Sequence, residues 1–225
     1  MNLKPLHALA GAAVLAMAAT SANAAVTFIG YGTDLGEGET LITDFEGGPT
    51  LAEVLLAQPG FTLSGDAELF TGSITGLTAA PAFSADTRDT TQYLSLTDAD
   101  QVAVLTTPGV SALSFYVGSL DSYNSFTFQL ADGTSQVVTG AMLAALPGMA
   151  ANGSQTGFTS NGRLTFSFDS AITQATFQSG GAALEISDIT AVTLVPEPAT
   201  WAMMILGFGG VGGLLRQRRA GLLAA

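Results

Sequence analysis

Leu164-Thr165-Phe166-Ser167-Phe168 is the stretch from which the fold is read. Along an extended chain successive side chains leave on opposite faces, so the three apolar residues point one way and the two hydroxyls the other. Leu113-Ser114-Phe115-Tyr116-Val117 and Phe126-Thr127-Phe128-Gln129-Leu130 repeat the alternation. Working outward, further strands are predicted at Val26 to Tyr31, Leu41 to Phe45, Glu68 to Ile74, Gln92 to Leu96, Val102 to Thr106, Ser135 to Thr139, Ile172 to Gln178 and Leu184 to Leu194. Asp132-Gly133, Asn161-Gly162 and Gly180-Gly181 separate them as turns. Many short strands at that spacing predict an all-β fold, a single β-sandwich or jelly roll. Only Gly140 to Leu146 and Thr50 to Leu56 read as helical, and both are short. The apolar phase shifts between Ile186 and Ile189, which predicts a bulge near Asp188. The last strand is expected to pair with the first.

Composition sets the outer limits. With 48% hydrophobic residues, 11% charged and no cysteine, the chain can bury a core, and neither disorder nor a disulfide scaffold fits it. Between residues 25 and 195 there are seventeen Asp plus Glu against Arg88 and Arg163, a balance that repels nucleic acid and anionic lipid. That span holds no His, Lys or Cys. A Ser-His-Asp triad, a His-containing zinc site and a phosphate-binding Gly-Lys loop are thereby excluded. A protein that is not an enzyme is expected.

The two ends read as addresses. Lys4, an apolar run from Leu6 to Ala19, and small residues at Ala22 and Ala24 make a secretory signal over residues 1–24, cleaved by signal peptidase after Ala24 and set apart from the fold. At the other end, residues 199–215 carry no charge and are followed by Arg216, Arg218 and Arg219, the pattern of a short transmembrane helix with a cytoplasmic stop signal. Trp201 stands where an interfacial anchor belongs, and Pro196-Glu197-Pro198 fixes an extended segment just outside the bilayer. The expected organisation is a signal peptide, an acidic exported domain at 25–195 and a sorting tail at 196–225.

Pro196-Glu197-Pro198, the apolar segment beginning Trp201-Ala202 and the closing arginines resemble the PEP-CTERM sorting signal, a tail sometimes labelled an ice-binding C-terminal domain without implying ice binding. The resemblance implies recognition by an exosortase, cleavage near the tripeptide after transient inner-membrane anchoring, and delivery to the surface or extracellular matrix of a Gram-negative bacterium. The exported span is similar to a family of exosortase-dependent surface proteins. The residues concerned are Leu41 to Glu46, Tyr93 to Leu96, Gly118-Ser119-Leu120-Asp121-Ser122-Tyr123-Asn124 and Leu184 to Ile189. That similarity implies a jelly-roll, carbohydrate-binding-like domain; Val117 stands where the family often has an aromatic residue.

Three clusters could carry a ligand. Asp121, Tyr123 and Asn124 fit a hairpin turn, and the same groups would serve a polysaccharide with Tyr123 as stacking face. Asp34, Glu37 and Glu39 sit on a glycine-rich loop that could supply part of a calcium shell, although a plain solvated loop reads better. Asp44, Glu46 and Asp188 would meet at one end of a sandwich, as in calcium-stabilised sugar-binding modules. Asp66 with Glu68, and Asp98 with Asp100, have the spacing of paired glycosidase carboxylates, which chance also supplies in so acidic a span. Asp86 and Asp89 beside Arg88 fit an exposed turn.

Overall fold

The computed structural model describes residues 15–16, 25–33, 35–36, 38–193 and 203–209. The chain divides into two compact units, Met1–Thr193 and Leu194–Ala225. In the second, residues 203–209 are helical and exposed, and among the described residues no helix is long and apolar enough to cross a membrane. Ala22, Ala24, Pro196, Glu197, Pro198, Trp201 and the three terminal arginines lie outside the described residues.

The first unit is antiparallel throughout. Its strands are β1 (Leu15–Ala16), β2 (Val26–Gly32), β3 (Thr40–Thr43), β4 (Thr62–Gly65), β5 (Glu68–Thr71), β6 (Gln92–Leu96), β7 (Val102–Gly118), β8 (Ser125–Leu130), β9 (Ser135–Thr139), β10 (Gly162–Gln178) and β11 (Leu184–Thr193). A single helical turn, α1 (Gly140–Leu143), is N-capped by Thr139, whose hydroxyl accepts from the Met142 N–H at 3.2 Å. Leu51–Glu53 forms a 3₁₀ turn.

β7 and β10 organise everything else. Each runs 17 residues, well beyond the usual five or six or so, and each changes partners midway. The register between them is interrupted from Ser167 to Ile172, and β7 passes through Pro108-Gly109, where Gly109 takes φ +105°. One half of the pair is flanked by β2 and β11, with β3, β6 and β5 beyond; the other half is flanked by β4 and β8, with β9 beyond. Phe115 and Phe166 from the first half meet Phe126, Phe177 and Phe128 from the second, at ring centroid distances of 4.9 Å (Phe115–Phe126), 5.0 Å (Phe115–Phe177) and 4.9 Å (Phe128–Phe166). The two halves therefore face each other across one core, and each ring pair adds about 0.5–1.5 kcal/mol beyond its burial.

Several expectations change. Val102 to Thr106 and Leu113 to Val117 are one strand, as are Leu164 to Phe168 and Ile172 to Gln178, because the residues between them bend the chain without ending its pairing. β4 gave no alternating signal, since only Leu63 in it is buried. β3 stops at Thr43 because Phe45 takes φ +62°, which breaks the extended run. β5 ends at Thr71 rather than Ile74. The last strand does not pair with the first: β11 lies between β7 and the β6/β3 side, while β2 takes the far edge of β10. Leu15–Ala16 of the segment set apart as a signal pairs with β2 at Phe28 and Thr27. The bulge stands where the phase shift places it, with Ile186 opposite Val117 and Ile189 opposite Phe115.

Candidate functional site

The outer face of the β10–β7–β11 layer is polar and covered. Leu113, Phe115, Ile186 and Ile189 point into the core, so alternation sends Ser114, Tyr116, Glu185 and Thr190 outward. The bulge adds one residue to β11 and turns both Ser187 and Asp188 to that outer face, where each finds a different partner.

Arg163 of β10 is 4% exposed and reaches over β7. Its Nη2 donates to Asp188 Oδ1 at 2.5 Å and its Nη1 to Ser114 Oγ at 3.1 Å. Burial pushes the Asp188 carboxyl above the ordinary range; Arg163 pulls it back and the Asp89 and Asp44 carboxylates push it further up. Ser114 and Thr190, which face each other across the β7–β11 ladder, have hydroxyls 2.6 Å apart and within 2.7 and 2.9 Å of Glu39 Oε2. Gly36 N–H donates to the same oxygen at 2.9 Å. Glu39 thus turns inward onto the sheet instead of standing in a plain solvated loop; Asp34 and Glu37 lie outside the described residues.

Segment 72–91 covers the adjacent part of this face. Tyr116 Oη donates to the Ala82 carbonyl at 2.6 Å, Phe83 packs edge-on against Tyr116 at 5.0 Å, and burial pushes the Tyr116 hydroxyl up to about 12. Ser187 Oγ donates to Asp89 Oδ2, while Asp89 Oδ1 accepts from Thr91 N–H at 2.8 Å. Asp89 is 3% exposed, so it is a structural anchor and not the surface turn residue its neighbour Arg88 suggested. Between this segment and residues 44–46 opens a cleft of about 440 Å³ lined by Asp44, Glu46, Asp89 and Asp188 with Phe83 and Arg88. The left-handed Phe45, wholly buried, sets the chain here: its ring enters the core while Asp44 and Glu46 line the cleft.

The fold therefore brings Asp44, Glu46 and Asp188 together, and adds Asp89. Each has a partner: Glu46 Oε1 accepts from Gln92 N–H at 2.8 Å, Asp44 Oδ1 from Glu46 N–H at 3.3 Å, Asp188 from Arg163 and Asp89 from Ser187. Among the described residues no group of three or more acidic or histidine side chains is placed to hold a metal ion. One oxygen of each of Asp44, Glu46 and Asp188 is thus held by a hydrogen bond or by the Arg163 guanidinium.

Asp121, Tyr123 and Asn124 form the turn after β7. Tyr123 Oη lies 2.8 Å from Asp121 Oδ2 and 2.9 Å from the Ala182 carbonyl, with the ring laid against Gly180 and Gly181. Asn124 is buried; its Oδ1 accepts from Asp121 N–H at 2.6 Å and its Nδ2 donates to Ser179 Oγ at 3.0 Å. These groups hold the turn against the β10–β11 connection. Asp66 and Asp98 likewise bind backbone, at Val102 N–H (2.7 Å) and Ala99 N–H (2.6 Å). Sequence reading missed Arg163, Asp89 and Glu185; the only available signal was the rarity of arginine, which makes either of two such residues a candidate for a buried partner.

Immediately after β11, residues 194–219 match the PEP-CTERM protein-sorting motif. The chain carries a PEP-CTERM sorting motif. The motif implies processing by an exosortase and export to the cell surface. No curated protein matches the chain. Similar solved structures include a peptidoglycan O-acetylesterase (13% identity, TM-score 0.35, covering 69% of this chain and 34% of that one). The catalytic domain of a GH87 α-1,3-glucanase is another (11%, 0.37, 75% and 30%), and a two-domain protein of unknown function from Bacteroides fragilis a third (12%, 0.30, 69% and 47%). The chain spans about a third to a half of their length, and at these scores the likenesses carry no argument about its chemistry.

Proposed function

We propose that this PEP-CTERM chain is an exosortase-processed cell-surface or extracellular-matrix protein with a structural or adhesive role, whose exported part is one β-sandwich of jelly-roll type. Signal peptidase removes residues 1–24, the tail around residues 199–215 anchors the chain transiently in the inner membrane, and cleavage near Pro196-Glu197-Pro198 releases the domain. The observation that carries this reading is the sorting motif beginning at the residue after β11. The absence of His, Lys and Cys from residues 25–195 supports a role without catalysis. Replacing Glu197 by Ala should leave the full tail attached and shift the protein from the surface fraction to the membrane fraction. An unchanged distribution would contradict processing at the tripeptide.

The cleft favours one second reading. Carboxylates, an aromatic ring and hydroxyls in a single depression are what a binder of neutral polysaccharide presents, with no metal required. A glycan array tests it: binding lost in an Asp44→Ala, Phe83→Ala double variant supports the reading, and no bound glycan contradicts it.

A further inference from the structure

Glu185 lies on β11 opposite Ser95 of β6 and Gly118 of β7, and it is 1% exposed. Its Oε1 accepts from Ala79 N–H at 2.9 Å and from Thr78 Oγ1 at 3.4 Å, and its Oε2 from Ser119 Oγ at 2.5 Å. Thr78 also lies 2.8 Å from Ser95 Oγ and 3.3 Å from Tyr93 Oη. Thr78 and Ala79 belong to segment 72–91, which carries Phe83, Arg88 and Asp89 to the cleft. The segment rests directly on the sheet, since a Cβ on Gly118 would come within 2.9 Å of Pro81. Its other anchors are the Tyr93 hydroxyl on the Gly72 carbonyl (2.7 Å), the Tyr116 hydroxyl on the Ala82 carbonyl (2.6 Å) and Ser187 on Asp89. Hydrogen bonds fasten this cleft wall at each of these points, and the Glu185 anchor is an ionisable group almost wholly removed from water.

We propose that Glu185 is a proton-operated latch that clamps segment 72–91, and with it one wall of the acidic cleft, onto β11. Closed, the carboxyl is pushed up by burial even though Ser119, Ala79 and Thr78 donate to it and pull it down. Open, it would face water and titrate in the ordinary carboxylate range. The titratable groups that feel its charge are Tyr93 on β6 and Tyr123 on the turn after β7; Asp89 and Arg88 of the segment act on Tyr93, and Asp121 acts on Tyr123. Arg88 donates to the Ala80 carbonyl at 3.0 Å, within its own segment. A carboxyl that binds its proton more tightly when closed holds most firmly below the ordinary carboxylate range. The latch loosens as pH rises toward the elevated value, by up to about tenfold in the closing equilibrium per pH unit. The latch operates whatever the cleft binds.

The exported span offers trypsin only Arg88, on the segment, and Arg163, buried on β10. In the full chain, cleavage after Arg88 from pH 6 to 8, normalised to a small peptide substrate, should report opening. Amide exchange of residues 72–91 from pH 4 to 8, corrected for intrinsic rates, extends the range. Wild type should open increasingly with pH. E185Q, whose amide can accept from Ala79 and donate to Ser119, should show a flat profile and slower cleavage at neutral pH. S119A, which removes a donor that favours the charged carboxyl, should open several-fold more at neutral pH, and it tests the latch even if E185Q does not fold. Equal pH profiles for wild type and E185Q, or an S119A profile equal to wild type, would overturn the latch.

Discussion

The guanidinium of Arg163 on β10 holds the carboxylate of Asp188 on β11 at 2.5 Å, although β7 lies between their strands. The contact needs both the length of arginine and the extra residue that the bulge inserts before Ile189. It ties three strands together on the outer face and places a half-buried carboxylate at the floor of the cleft. Removing the cation leaves the Asp188 carboxylate without its donor. R163M is expected to lower stability by about 3 kcal/mol, the low end for a broken buried pair because Asp188 keeps 25% of its side-chain exposure. Urea unfolding checks this, and R163M/D188L should recover most of the loss.

Phe115 touches Phe126, Phe166 and Phe177 and joins the two facing halves of the long strands. F115A should cost about 3–5 kcal/mol through lost burial and a residual cavity. Truncating Phe158, which is 53% exposed, should change stability by less than about 0.5 kcal/mol. Denaturant midpoints of the two variants measure the contrast.

Gly140 opens α1, and a Cβ there would lie 2.0 Å from the Asp121 carbonyl oxygen. That oxygen also accepts from Asn124 N–H at 3.1 Å, so it cannot retreat without breaking the turn. G140A should destabilise by about 1–3 kcal/mol as overpacking does, while G133A, at φ +86° with open space around it, should show only the smaller cost of the left-handed backbone. Thermal melts of both variants distinguish crowding from backbone preference.

Glu185 and Asp188 are both raised in the folded protein. Each binds its proton more tightly folded than unfolded, so their contribution to stability is complete below the ordinary carboxylate range and declines as pH rises through it toward the raised values. Growing self-repulsion of an acidic chain acts in the same direction. The melting temperature should fall between pH 4.5 and 7.5 in low salt, with a shallower fall for E185Q. A melting temperature that climbs steadily over that range would contradict the assignment.

The strands were legible wherever one face is buried and the other wet, as at Phe166 and Phe168 or Phe126 and Phe128. Continuity was not. Pro108-Gly109 and Asp169-Ser170-Ala171 look like turns because a strand that bends from one layer to the other uses the same residue types as one that ends. β4 was missed because a four-residue strand with one inward side chain has no period to detect. At the site, the meeting of Asp44, Glu46 and Asp188 was legible from strand position. Their partners were not, because backbone N–H groups of Glu46 and Gln92 and an arginine two strands away hold them, and neither is visible as a pattern in the chain. Asp89 and Glu39 read as surface acids for the same reason: sequence gives charge, while burial comes from the loop that folds over it.

The carboxylates of the cleft are already partnered, so added calcium or EDTA should leave the melting temperature unchanged. A rise of several degrees with calcium would show that a metal binds.

The termini of the protein recovered from the surface fraction of cells that make an exosortase test the sorting account most directly, by intact mass and terminal peptide sequencing. The expected species begins at Ala25 and ends near Pro196-Glu197-Pro198, and deletion of the exosortase should restore the tail through Ala225. A chain running from Met1 to Ala225, soluble in the cytosol of exosortase-proficient cells, would contradict it.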